Sequence, residues 1–218
     1  MKTKKIILYF LIFLPLVATL IALTYLPEQI PAHYGFNNQV TRWGSKYETL
    51  LLPIITVIFG FFMLGLARYA AKQEGSGKNN ETICIITGIL SLLLFNAITV
   101  YSLYTAFNTV DHLSSISFDI NHLVFGFLGI FMIIIGNIMP KLRLNSVIGL
   151  RTSWSMKNET TWKKSQRFGG ISFIIEGILL LLVCLFVKGN SCVLWAIGIL
   201  SVFLIADIYY TYRVSKKY

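Results

Sequence analysis

The sequence predicts an all-α integral membrane protein, a bundle of six transmembrane helices with both termini in the cytoplasm. Three observations predict it. Of 218 residues, 56% are hydrophobic and only 13% charged, whereas an ordinary globular chain carries about 25% charge. So little charge cannot cover a soluble surface, and the apolar excess must face lipid. The apolar residues also come in uninterrupted runs of the roughly 20 residues needed to cross about 30 Å of hydrocarbon. Finally, the basic residues are sorted onto one side of those runs.

The runs are residues 6–26, 49–71, 83–107, 121–139, 169–188 and 193–212. Gly, Ala, Leu, Ile and Phe surround each run on all sides, as in helices immersed in lipid and in one another. The alternating segments of about ten residues that would build a barrel do not occur. Lys2, Lys4 and Lys5 ahead of the first run also suit a signal peptide. That run, however, exceeds the usual core of about 7–15 residues, and no A-x-A pattern follows. It reads as an uncleaved helix, bent or weakened near Pro15. With the first residue inside, all 19 Lys and Arg residues except Arg42, Lys46 and Lys188 fall on the inner face. This asymmetry sets the orientation. It also accounts for the net charge of +10 through anionic head groups rather than direct nucleic-acid binding. Two units follow: 1–82, a first helix pair with an extracytoplasmic cap loop (27–48), and 83–218, a four-helix domain with a basic cytoplasmic loop (140–170).

The cap loop runs LPEQIPAHYGFNNQVTRWGSKYE from Leu26 to Glu48. Pro27 and Pro31 stop the first helix and favour extended backbone before them. Asn37, Asn38 and Gly44 supply turns, and Tyr34, Phe36, Trp43 and Tyr47 are spread between them. So many aromatics predict a small cap packed on the membrane surface. They serve either as head-group anchors or as ligand contacts.

The inner loop runs PKLRLNSVIGLRTSWSMKNETTWKKSQRFGG from Pro140 to Gly170. LRLNSVIGLR is apolar enough to be extended or to lie against lipid. Asn158 is a good N-cap, Glu159 suits a first turn, and Glu159 can pair with Lys163 at i,i+4. Trp162 opposite Lys164 predicts a short helix lying in the interface. The density of basic groups points instead to a docking surface for a cytoplasmic partner.

Glu176 and Asp207 fall inside the fifth and sixth runs, where an ionisable group costs at least about 2.5–3.5 kcal/mol and marks a functional site by default. At 1.5 Å per residue both sit about 10 Å from the inner surface. They serve as a proton relay, or in a hydrogen-bonded or Arg-paired structural role with Arg213 or a basic group of the inner loop as partner. Gly126, Gly129 and Gly136 place small residues on one face of the fourth run for close helix approach. Cys84, Cys184 and Cys192 read as packing residues. His33, His112 and His122 lack the spacing of a metal site. No GxSxG or HExxH motif occurs and no His lies in the inner loop, so no catalytic residue, metal or cofactor is expected.

The motifs now have a resemblance. Asn137-x-Met139-Pro140-Lys141, Asn145, Gly149-x-Arg151-Thr152-x-Trp154, Asn158-Glu159, Trp162-x-Lys164 and Arg167-x-Gly169-Gly170 resemble the signature of the SdpI family of bacterial membrane proteins. Leu26-Pro27-x-x-Ile30-Pro31-x-His33, with Gly44 and Lys46, looks like the domain commonly found ahead of it. Gln166 departs from the His that precedes this Arg in many members. The resemblance implies immunity to a secreted killing peptide. It also implies a possible second role, holding a cytoplasmic transcriptional repressor at the membrane. On that reading the cap, around Pro27, Pro31, His33, Trp43 and Gly44, faces the peptide. The inner loop, with Arg151, Trp154, Glu159, Trp162 and Arg167, faces the repressor. The alternatives are a small-molecule or proton-coupled transporter using the two acids and a structural subunit.

Overall fold

The computed structural model describes residues 2–72, 77–116 and 119–218. The side chain of Lys78, one of the cations assigned to the inner face, lies outside the described residues. Six helices among the described residues are long and apolar enough to cross a membrane. They are α1 (Lys2–Ala22), α2 (Leu51–Ala71), α3 (Gly77–Phe107), α4 (Ile120–Ile138), α5 (Glu159–Phe186) and α6 (Ser191–Lys217). Their alternation puts both chain ends and the 139–158 loop on one face, the terminal face. The α1–α2, α3–α4 and α5–α6 connections lie on the other, the hairpin face. The first helix ends four residues earlier than its apolar run: Leu23–Leu26 form a turn, with the Thr24 hydroxyl donating to the Ile21 carbonyl at 2.8 Å. Pro15 is buried and the helix continues through it.

The helices share four small cores rather than one. Leu8, Leu11 and Ile12 of α1 meet Leu64 and Ala67 of α2 and Ile85 and Leu92 of α3. Asn96 donates to the Leu11 carbonyl at 2.9 Å, and Lys5 pairs with Glu81 at 2.8 Å. A second core joins Ile83, Ile135, Met139, Leu142 and Trp162 at the terminal face. A third joins Ala22, Leu26, Ile30 and Ala106 under the cap. The last joins Met132, Leu180 and Ala196 across α4, α5 and α6. The outward residues of α6, among them Leu194, Trp195, Val202 and Ile205, are exposed and face lipid.

Helices α4 and α5 approach closely through two glycine pairs. A Cβ on Gly129 would lie 2.8 Å from the Gly177 carbonyl, and one on Gly136 would lie 2.6 Å from the Gly170 carbonyl. Such a seam lets backbones approach where no side chain fits. Gly126, expected on the same face, has open space beside it, so the seam is shorter than the sequence pattern.

One expectation for the loops needs correction. The interface-lying helix at Asn158 is not a separate element. It forms the first turns of α5, and Trp162 is buried, 1% exposed. Trp162, Ser165, Gln166 and Gly169 share one helical face, and that face is covered by the 139–150 segment instead of by head groups. The cap loop, in turn, is an antiparallel β-hairpin in an otherwise helical chain: β1 (Gln29–Tyr34) and β2 (Val40–Ser45), in register from Gln29–Ser45 to Tyr34–Val40 with irregularities around Ala32 and His33. Asn38 takes the left-handed turn position with φ of 61°, as a short polar side chain tolerates. A 3-10 turn, Lys46–Leu50, leads into α2.

Candidate functional site

On the hairpin face the cap is fastened to both halves of the bundle. The Val40 amide donates to the Asp111 carbonyl at 3.0 Å and the Leu113 amide to the Asn38 carbonyl at 2.8 Å. The α3–α4 connection thereby adds to the outer edge of β2. The Tyr34 hydroxyl donates to the Val110 carbonyl at 2.8 Å, and burial pushes its phenol above the ordinary range, keeping it a donor. Asn190, in the α5–α6 turn, donates to the Phe36 carbonyl. Within the hairpin, Arg42 makes a two-point bond to Glu48 at 2.8 and 3.0 Å, which raises the guanidinium further above its usual value. Gly44 makes room for that carboxylate: a Cβ there would collide with Glu48 and with the Ala32 Cβ. Pro31 is buried opposite Trp43, and Pro27 is half-buried. His33 is exposed and hydrogen-bonded to Thr41 at 2.6 Å. Phe36 (94% exposed), Trp43 (44%) and Tyr47 (61%) project from this ordered frame.

On the terminal face the 139–158 loop has no regular strand and is held by side chains. The Asn145 carbonyl oxygen accepts from the Val147 and Ile148 amides, both at 2.8 Å, while its amide donates to the Arg143 and Ile148 carbonyls. Thr152 and Ser155 exchange two bonds of 2.9 Å between each hydroxyl and the other's backbone amide. The Trp162 indole donates to the Leu142 carbonyl at 2.8 Å. Asn158 and Thr161 close a capping box at the start of α5. Glu159 pairs with Lys163 at 3.6 Å across the exposed face.

Gln166 explains its own departure from the signature. Its fully buried amide donates to the Leu150 carbonyl at 2.9 Å and accepts from the Leu150 amide at 3.0 Å. An imidazole could not offer a donor and an acceptor side by side in this way. The clasp fixes the backbone beside Gly149, whose φ of +114° disfavours any side chain. Gln166→Leu leaves the Leu150 amide unpaired, while the Leu150 carbonyl keeps the Ser155 hydroxyl at 2.8 Å, and is expected to cost about 1–3 kcal/mol, read as a lowered unfolding midpoint in detergent. An unchanged midpoint would mean that something else holds Leu150.

The loop is also stitched to α6. The Thr152 hydroxyl donates to Thr211 at 3.1 Å, Lys157 to the Ser215 carbonyl at 2.8 Å, Asn158 to the Tyr218 carbonyl at 3.2 Å, and Lys164 to the Tyr218 hydroxyl at 3.0 Å. The Lys164 ammonium holds the Tyr218 phenol below its usual range. Trp154 packs edge-on against Tyr212, and Phe168 stacks on Tyr210. The loop residues therefore sort into two sets. Asn145, Gly149, Thr152, Asn158 and Trp162 build the loop. Asn137, Pro140, Lys141, Arg151, Trp154, Glu159 and Arg167 are exposed, three of them basic.

Above the loop lies a cavity of about 460 Å³ between α3, α4, α5 and α6, with Phe131 and Phe173 among its walls and Thr87, Arg151, Glu176 and Asp207 as its polar groups. Ser172 donates to Asp207 at 2.7 Å. Arg151 reaches the same cavity from the loop, but among the described residues no ion pair joins it or Arg213 to either acid. Sequence reasoning missed Ser172, although Ser172 and Glu176 stand at i,i+4 on one helical face. It also missed the ladder of Asp207, Thr211 and Ser215 on α6, whose successive rungs meet Ser172, Thr152 and Lys157. No group of three or more His, Cys, Asp or Glu among the described residues could hold a metal ion. The three cysteines are free.

Six apolar helices, a cap fastened across one end and a basic loop clasped at the other define a multi-pass membrane protein of helical-bundle type. The resemblance noted in the sequence is upheld. Residues 141–210 match the SdpI/YfhL protein family and residues 10–57 match a domain of unknown function, DUF1648. The chain is 27% identical to Immunity protein SdpI of Bacillus subtilis (strain 168), over 98% of this chain and 97% of that protein. No solved structure matches significantly. The protein is thus a multi-pass protein of the cytoplasmic membrane that is similar over nearly its whole length to a protein named as an immunity protein.

Proposed function

We propose that this chain protects its cell from a secreted, membrane-active killing peptide that it meets at the hairpin face. In the same proposal its terminal face lies in the cytoplasm and holds a small transcriptional repressor once the peptide is engaged. The observation that carries the reading is the cap itself. Phe36, Trp43 and Tyr47 are exposed on a frame bonded to the α3–α4 connection and to the α5–α6 turn. Rigid aromatics bind with little loss of side-chain freedom. The orientation is supported by the sorting of basic residues, since only Arg42, Lys46 and Lys188 fall on the hairpin face. Signalling requires that the peptide prefer one of two arrangements of the bundle, because equal affinity shifts nothing.

Expression in a sensitive host followed by peptide challenge tests this. Survival is expected for the wild type, and reduced survival at normal membrane levels for Phe36→Ala combined with Trp43→Ala. Wild-type cells that die like the vector control would end the immunity reading for that peptide. The cavity keeps one second reading in view, proton-coupled or small-molecule transport through Glu176 and Asp207. Protection that withstands Glu176→Gln with Asp207→Asn separates immunity from that chemistry.

A further inference from the structure

We propose that the cavity between α3, α4, α5 and α6 is a binding site for an amphiphile with a cationic amine head and an apolar body. The two carboxyls of the site are poorly partnered. Glu176 is 3% exposed and lines the cavity, yet among the described residues it has neither a hydrogen bond nor an ion pair. Asp207, 2% exposed, has one neutral donor, Ser172. Thr87 lines the same space, and its hydroxyl is buried and without a partner. A buried carboxylate is costly unless paired, and the chain's own candidate, Arg151, lines the cavity without reaching either acid.

Size and walls define the rest of the ligand. A volume of about 460 Å³ falls in the range of small-molecule pockets, about 300–1,000 Å³, and far exceeds the roughly 30 Å³ share of a water molecule. Phe131, Phe173, Leu200 and Leu204 line it. A bare divalent ion would need a shell of oxygen ligands, which these walls do not supply. An apolar body fills them, while an amine donates to both carboxyls and to Thr87. Leu204 is 57% exposed on the lipid side of α6, so an amphiphile dissolved in the bilayer reaches the cavity sideways. Arg151, at the loop end, repels a cation arriving from that direction.

The test is a titration of full-length protein in lipid nanodiscs with dansylcadaverine, a fluorescent primary amine, against its N-acetylated neutral form. Saturable one-to-one binding of the amine alone is expected. Glu176→Gln and Asp207→Asn each weaken it at least about tenfold. Thr87→Phe, which fills the cavity and leaves the acids in place, abolishes it and decides the matter where an acid variant fails to fold. Arg151→Gln tightens it. Equal responses to the amine and its acetylated form, or binding unchanged by Thr87→Phe, would reduce the signal to partition into lipid and overturn the proposal. The result is independent of survival under peptide challenge, so either reading can fail alone.

Discussion

Trp162→Ala is expected to lower the unfolding free energy by about 3–5 kcal/mol, the range for removing a large buried aromatic. Trp162 is the largest fully buried side chain, and it packs in the core that joins α3, α4, α5 and the loop. Its loss empties that core and frees the Leu142 carbonyl to which the indole donates. Trp162→Phe separates the two effects, because it keeps most of the volume and loses only the hydrogen bond. It should cost about 1–3 kcal/mol. Denaturant titration in mixed micelles measures both. Equal stabilities of the Ala variant and the wild type would place Trp162 at the membrane surface after all, as its alternation with lysines suggests in the sequence.

Substitutions in the α4–α5 seam form the second large effect. Gly136→Val and Gly170→Val each drive a side chain into the carbonyl of the opposite glycine. Backbone cannot yield as a flexible side chain can, so the cost should reach or exceed about 1–3 kcal/mol, the usual penalty of overpacking. Gly126→Val is the control, because open space lies beside it. Thermal melts by size-exclusion monitoring should show early loss of the monodisperse peak for the first two variants and little change for the third. Three equal melting points would mean that the helices do not meet at these glycines.

The six spans are legible in the sequence because lipid imposes a strict rule, long apolar runs with satisfied backbones, and local caps are legible for the same kind of reason. Asn158 and Glu159 announce the start of a helix, and Asn38 announces a turn. What escapes notice is set by partners distant in the chain. Trp162 reads as amphipathic until Leu142 is seen above it, twenty residues earlier. The hairpin's outer edge depends on Asp111 and Leu113, far beyond its own segment. Glu176 and Asp207 stand out in the sequence as acids inside apolar runs, but the cavity they share depends on α3 and the loop, and no periodicity within α5 or α6 reports it. Gln166 shows a further limit: a departure from a motif signals loss of function only until its bonds to Leu150 are visible.

The glycine contacts between α4 and α5 have a mechanical corollary. With carbonyls seated against bare Cα positions at two levels, neither helix can roll or slide on the other without a collision, so the pair moves as one rod. The cap is bonded to the α3–α4 connection at Asp111 and Leu113 and to the α5–α6 turn at Asn190, and Gln166 and Trp162 bind the other end of α5 to the loop. A shift of either helix therefore carries the other with it.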